Sequence, residues 1–163
     1  MERTRTFSWQ DPTIGATEAL QMEGIDYLSA MFEGKLPAPP IMHTLDFKMH
    51  SIKAGKAVFS FVPQEFHYNP IGSVHGGVIS TILDSAMGCT VHSLMPKGKA
   101  YTTLELKVNF LKAITKNSGE LFTIGKMIYS GRKTALVEAQ IVDANGKLFA
   151  YGVSTCLIFD VKI

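Results

Sequence analysis

The segment from His67 to Gly77 (HYNPIGSVHGG) places an asparagine, two histidines and an adjacent glycine pair directly ahead of a long apolar run, and that run carries Asp84. Two adjacent glycines at a helix entry let another group come very near the backbone. The first N–H groups of a helix have no partner within it and lie at the positive end of its dipole. His75-Gly76-Gly77 therefore offers donors for an oxygen that gains negative charge, which is what acyl transfer requires. The same two glycines would also serve a tight turn or close helix packing. Asp84, between Leu83 and Ser85, is the sharper anomaly. A carboxylate amid apolar residues is costly unless it is paired or put to use. Burial raises the pKa of such a group, which suits a general base or a nucleophile. The alternative is that Asp84 faces an exposed strip of the helix.

Spacing adds a constraint. Gly76 and Asp84 are eight residues apart, roughly 12 Å along a helix at 1.5 Å per residue. One acyl carbonyl cannot touch both within a single chain. If both act on it, the carboxylate comes from a second copy, and the site lies at the interface of an obligate dimer.

Other chemistry-bearing residues carry less. His43 and His50 are seven apart in a strand-like stretch and face opposite ways. The five histidines form no HxH or HExxH pattern and have no cysteine pair near them, so no metal site is expected. Cys89 and His92, three apart, would meet on a helix, but no electropositive partner marks Cys89 as a thiolate nucleophile.

The elements that must position these residues follow from hydrophobic periodicity. Residues 15–34 read as one amphipathic helix, with Ala19, Leu20, Ile25, Leu28, Met31 and Phe32 at helical spacing, stopped by Pro37, Pro39 and Pro40. From residue 43 the period is two, with Leu45, Phe47 and Met49 alternating with polar residues. Ala54-Gly55-Lys56 turns the chain into a second strand over 57–62. Residues 63–77 are a loop, and a long apolar helix follows to about Leu94. Four strands close the chain over 101–111, 121–129, 134–143 and 147–159. In the first of them Leu104, Leu106, Val108 and Phe110 share a side. Asn145-Gly146 is the strongest hairpin signal. Short turns imply antiparallel pairing, and one apolar helix needs one sheet face. The expected fold is α+β: a curved antiparallel sheet wrapped around a central helix.

His75-Gly76-Gly77, with Asn69 six positions before His75 and Asp84 nine after it, resembles the hotdog-fold thioesterases of the phenylacetate-degradation (PaaI-like) group, the branch that includes thioesterase superfamily member 2. The resemblance runs over about residues 43–159. It implies that Asp84 acts as base on water or as nucleophile, and that the Gly76 N–H polarises the thioester carbonyl beside Gly77. It also implies that Asn69 holds the water or the carbonyl region, that His75 positions Asn69 and the loop, and that Thr103 helps place the water. Thr102 is the alternative to Thr103 by a one-residue slip. Ser130 to Thr134, with Arg132 and Lys133, resembles the turn beside the pantetheine and nucleotide of CoA, though a solvated basic turn has the same composition. Met87, Val91 and Leu94 suit either an acyl pocket or the core. Residues 1–42 extend beyond the minimal fold, as part of the same domain as 43–163, either capping the acyl pocket or packing outside it.

The implied activity is hydrolysis of small aromatic or short- to medium-chain acyl-CoAs, with no cofactor and no metal, in a homodimer or a dimer of dimers. Hydration or dehydration of an acyl thioester, and non-catalytic acyl-CoA sensing, are the competing readings. Composition agrees with this. The chain has 163 residues, 46% hydrophobic and 18% charged, enough for one domain with a substantial core. A net charge of +2 argues against a nucleic-acid partner. Acidic residues interrupt the first 35 positions, and no run suits a leader peptide or membrane span. Two distant cysteines suit buried thiols in the cytoplasm.

Overall fold

The computed structural model describes residues 1–161. The front of the chain differs from the single helix expected over 15–34. Helix α1 (Pro12–Gln21) starts with Asp11 as its cap, whose carboxylate accepts the Thr13 N–H at 2.9 Å, and with proline in its first turn. Met22 then turns extended, and α2 (Gly24–Phe32) begins. The break follows from what Gly24 must touch: its N–H donates to the Met95 carbonyl at 2.8 Å, and a Cβ there would lie 1.8 Å from the His92 carbonyl oxygen. Only a glycine lets the chain approach that backbone so closely.

Helix α2 stops at a left-handed Gly34 (φ 74°), whose N–H donates to the Met31 carbonyl while the Lys35 N–H donates to that of Ala30. It thus ends before the prolines that were expected to stop it, and those prolines start a helix instead. Pro40 opens α3 (Pro40–Leu45), where strand periodicity was expected from residue 43, because its fixed φ suits a first helical turn. Asp46, left-handed at φ 51°, ends it. Strands β1 (Phe47–Lys53) and β2 (Lys56–Phe61) form the expected hairpin. A loop with one 3-10 turn leads to α4 (Gly76–His92). Strands β3 (Lys99–Phe110), β4 (Leu121–Ser130), β5 (Thr134–Asp143) and β6 (Leu148–Asp160) follow.

The six strands form one sheet in the order β1-β2-β4-β5-β6-β3, antiparallel throughout. Helix α4 packs against every strand from β2 to β6. Ile82, Leu83, Ala86, Met87 and Val91 are wholly buried there against Leu121, Val137, Ile141 and Ala150. Each of the larger side chains among them contributes on the order of 1.5–3 kcal/mol. This is the α+β arrangement of sheet and central helix that the periodicity implied. Leu28, Met31 and Met42 join the same core, so the front segment is built into it. No helix among the described residues is long and apolar enough to cross a membrane.

β3 departs from simple alternation. A bulge between Thr103 and Glu105 shifts its register against β6. Leu104 is therefore exposed rather than aligned with the half-buried Leu106 and Val108, while Phe110 keeps their register with its ring against Gly76 and is exposed at the end of the strand. A one-residue slip moves side chains to the other face of a sheet. Here it turns Thr103 toward α4.

Candidate active site

The N-terminus of α4 leaves one backbone donor free. His75 is the N-cap: its Nδ1 accepts the Gly77 N–H at 2.8 Å, and its carbonyl accepts from Val78 at 3.0 Å and Ile79 at 3.3 Å. The Gly76 N–H has no hydrogen-bond partner among the described residues. It stands at the positive end of a 17-residue helix, beside a cavity of about 310 Å³ that Asn69, Ser73, Ile79 and Phe110 also line. A Cβ on Gly76 would press on the Phe110 ring at 3.2 Å.

The loop ahead of the helix is held by its own side chains. Asn69 Oδ1 accepts from the N–H groups of Ile71 (3.1 Å) and Ser73 (3.2 Å), and Nδ2 donates to Ser73 Oγ at 3.1 Å. Among the described residues no hydrogen bond joins His75 to Asn69: the imidazole is spent on the helix cap. The residue that ties loop to scaffold is His67, considered from the sequence only as a metal ligand. It is buried, its Nδ1 accepts the Gln64 N–H at 3.0 Å, its Nε2 donates to the Leu45 carbonyl at 2.8 Å, and its own carbonyl accepts from His75 N–H at 2.8 Å. Those partners fix one neutral tautomer, and burial holds its pKa below the usual histidine range. Its sequence signal was faint: polar spacing Gln64-x-x-His67, compatible with a capping turn.

Asp84 lies two turns further along α4, half-buried, and its Oδ1 accepts a hydrogen bond from Thr103 Oγ1 at 2.9 Å. The bulge in β3 makes this contact possible; Thr102, one residue away, is exposed on the other face. Asp84 also lines a second cavity, of about 220 Å³, with Cys89 and Tyr101 beside it and Met31 and Met42 opposite. This cavity and the one beside Gly76 have no lining residue in common.

The electrostatics set Asp84 apart from its neighbours. Burial, and then the Asp84 carboxylate, push the Cys89 thiol up to about 12. Burial is also the first cause that raises the Tyr101 phenol well above its ordinary range, and Cys156 is raised chiefly by burial. Burial pushes His92 down, and its ring sits edge-on to Tyr27 at 5.4 Å. A protonated thiol beside a neutral imidazole is no thiolate pair.

The remaining sequence candidates fall elsewhere. Met87 is wholly buried against β6, where it would touch a Cβ on Gly152 at 3.4 Å, and it does not line the cavity beside Asp84. The helical period turns residue 87 toward the sheet while 84, 85 and 89 face the front segment. Arg132 and Lys133 are exposed on the β4–β5 turn, pinned where the Ile158 N–H donates to the Lys133 carbonyl at 2.8 Å. The paired row Ser130, Ala135, Cys156, Thr103 brings that turn to the same end of the sheet as Thr103. No three His, Cys, Asp or Glu side chains among the described residues converge as a metal site.

Comparison with known proteins bears on this geometry. The family model described as "Thioesterase superfamily" matches residues 71–150, the stretch from the glycine loop through α4 and into β6. A protein of Saccharolobus solfataricus named "Putative esterase" is 32% identical over 142 residues, covering 85% of this chain and 96% of its own length. The 1,4-dihydroxy-2-naphthoyl-CoA hydrolase of Listeria monocytogenes is 26% identical, over 72% of this chain and 93% of its own. Among solved structures, a phenylacetic acid degradation-related protein of Ralstonia eutropha JMP134 superposes with a TM-score of 0.73 at 28% identity, over 80% of this chain and 98% of its own. With its six-stranded antiparallel sheet, its central helix and these relatives, the chain belongs to the hotdog-fold thioesterase superfamily.

Proposed function

We propose that the protein hydrolyses acyl-CoA thioesters, of small aromatic or short- to medium-chain acids, at sites shared between two copies of the chain. The observation that carries this reading is a division along α4: a free Gly76 N–H at its N-terminus, and the Asp84–Thr103 pair two turns away in a different cavity. Roughly 12 Å of helix separates them, so a single carbonyl meets both only if a second copy supplies one. The β3 edge supports that arrangement, since it is long, has no neighbour on its outer side among the described residues, and exposes Leu104 and Phe110.

In this reading the thioester carbonyl accepts the Gly76 N–H of one copy, and Asp84 of the other acts on the carbonyl carbon. As a base, Asp84 takes a proton from water while the water oxygen bonds to the carbon. The oxyanion collapses, the C–S bond breaks, and the CoA sulfur leaves with a proton, giving free acid and CoA. As a nucleophile, Asp84 attacks the carbonyl carbon, the C–S bond breaks, and the CoA thiolate leaves and takes a proton from solvent. Water then opens the resulting anhydride to the free acid and restores the carboxylate. Thr103 orients the carboxylate in either route, and its hydroxyl is placed to steer the water. Asn69 keeps the loop closed around the carbonyl site, and Gly77, capped by His75, fixes the start of the helix. Arg132 and Lys133 offer positive charge to the phosphates of CoA. No metal or further cofactor enters these steps. Free cysteines and a CoA substrate suit the cytoplasm.

Thiol release from a panel of acyl-CoAs, with wild type beside Asp84→Asn, tests the proposal. Turnover of some members that falls by orders of magnitude in the variant supports hydrolysis. Tight acyl-CoA binding by both proteins without release would replace it with a sensing role.

A further inference from the structure

Building on the thioesterase reading, we propose that the segment from α2 through α3 forms the far wall of the acyl pocket and limits it to compact acyl groups: one ring, or a chain of about six carbons. The cavity beside Asp84 has ten lining residues, of which Met31, Pro39, Ile41 and Met42 come from this segment. These four lie outside residues 71–150, where the family model matches. The carboxylate end of the pocket belongs to α4 and β3, and the end that would meet the tail of an acyl group belongs to the α2–α3 segment.

The wall is anchored rather than draped. Leu28 is 1% exposed in the core, and Gly24 is bonded to the Met95 carbonyl at 2.8 Å. The last carbonyls of α3 are all engaged. Arg5 donates to those of His43 and Thr44, both at 2.6 Å, and His67 Nε2 donates to that of Leu45 at 2.8 Å. Arg5 is itself laid over the Phe66 ring at 4.1 Å. A wall held at both ends restricts length, because an acyl group that overruns it must break those contacts.

Size follows from volume. About 220 Å³ is below the roughly 300–1,000 Å³ of pockets for drug-sized ligands. At the ~30 Å³ that each water occupies in the liquid, it holds on the order of seven water-sized groups. A phenyl or hexanoyl tail fills it; a fused two-ring acyl group overfills it. The lining is chiefly apolar, with the Cys89 thiol and the Tyr101 hydroxyl as its polar neighbours besides Asp84 and Ser85, so a charged tail is excluded.

The test is a profile of kcat/KM over butanoyl- to dodecanoyl-CoA, benzoyl-CoA and naphthoyl-CoA for wild type, Ile41→Ala, Met42→Ala and Ile41→Trp. Ile41 is 41% exposed, so its variants leave folding largely untouched, and thermal melts check this. Each newly buried methylene is worth roughly fourfold in affinity. The alanine variants are therefore expected to raise the decanoyl-to-hexanoyl ratio by about tenfold or more and to admit naphthoyl-CoA, while Ile41→Trp moves the optimum to shorter chains. A general loss of stability would not move the optimum in opposite directions. Turnover with a profile that none of the variants shifts by more than about twofold would overturn the wall and leave the thioesterase standing. If wild type turns over no thioester, the hydrolysis reading fails by itself. The wall is then decided by the dissociation constants of the same esters for Asp84→Asn alone and combined with each wall substitution: the same shifts uphold it, and an unshifted or absent preference overturns it.

Discussion

Asp84 and Thr103 show how one hydrogen bond divides two roles. The Thr103 hydroxyl occupies one carboxylate oxygen at 2.9 Å and leaves the other free of partners among the described residues. Asp84→Asn removes the base while keeping the shape, and thiol release should fall by about 10²–10⁴-fold, the range of general-base contributions. Thr103→Val keeps the shape of the threonine without its hydroxyl. A hydrogen bond to a charged group is worth ~1.5–3 kcal/mol, so kcat should fall about ten- to a hundredfold. Thr102→Val, on the other face of the same strand, should change kcat by less than twofold. Equal losses at both threonines would show that the effect comes from strand packing. His67 makes a prediction about stability. Its folded-state pKa lies below the unfolded value near 6.5, by burial. The unfolded chain therefore binds the proton more readily, and the contribution of His67 is present above about pH 6.5 and is lost as pH falls toward the lower folded value. His92, lowered by burial as well, acts in the same direction. Urea midpoints should drop between pH 7.5 and 5, and His67→Leu, less stable throughout, should flatten that slope. A midpoint that holds or rises in acid would refute this assignment.

At the level of elements, the decisive fact is how closely α4 lies on the sheet. A Cβ at Gly125 of β4 would sit 2.6 Å from the Ala86 carbonyl oxygen and 2.3 Å from Thr90 Oγ1. Thr90 Oγ1 is itself bonded to the Ala86 carbonyl at 2.8 Å and receives the Ala57 N–H at 3.2 Å, joining the helix to β2. Gly125→Ala must push helix from sheet, and overpacking of this kind costs about 1–3 kcal/mol. Gly24→Ala presses instead on the backbone of α4 and should cost at least as much. Denaturant melts of both variants check this, and an unchanged midpoint in either would mean that the elements can slide apart freely. The hairpin, the central helix and the four closing strands were all legible from periodicity, because each buries one regular face. The break at Met22–Gly24 and the short helix α3 were not. The break is set by contact with Met95, about 70 positions away, which no local pattern carries. Helix α3 starts at Pro40, a residue that reads equally well as a helix stop or a first helical turn, and its end is held by His67 about 20 positions on.

For the molecule as a whole, the proposed sharing of sites yields a prediction independent of any substrate preference. Asp84→Asn and Asn69→Ala chains are each expected to have low activity. Mixed by denaturation and refolding, half of the dimers should be heterodimers, each with one site damaged twice and one intact, so about a quarter of wild-type activity should return. No recovery, in a mixture that sedimentation shows to contain dimers, would place each site within a single chain.

The sequence by itself determined the class of fold, the glycine pair at a helix entry, and the carboxylate that an apolar helix would not otherwise carry. These are written in residue type and period, and both act over a few positions. Only the tertiary structure decided that Thr103 and not Thr102 meets Asp84, since a bulge in the β3–β6 pairing reverses that face. It alone showed that His75 spends its ring on Gly77 and leaves the Gly76 N–H open. It also turned Met87 into the core and brought Met31 and Met42 up to the cavity beside Asp84. Such outcomes depend on which distant backbone comes within hydrogen-bonding or van der Waals reach, and packing settles that only when the whole chain has closed.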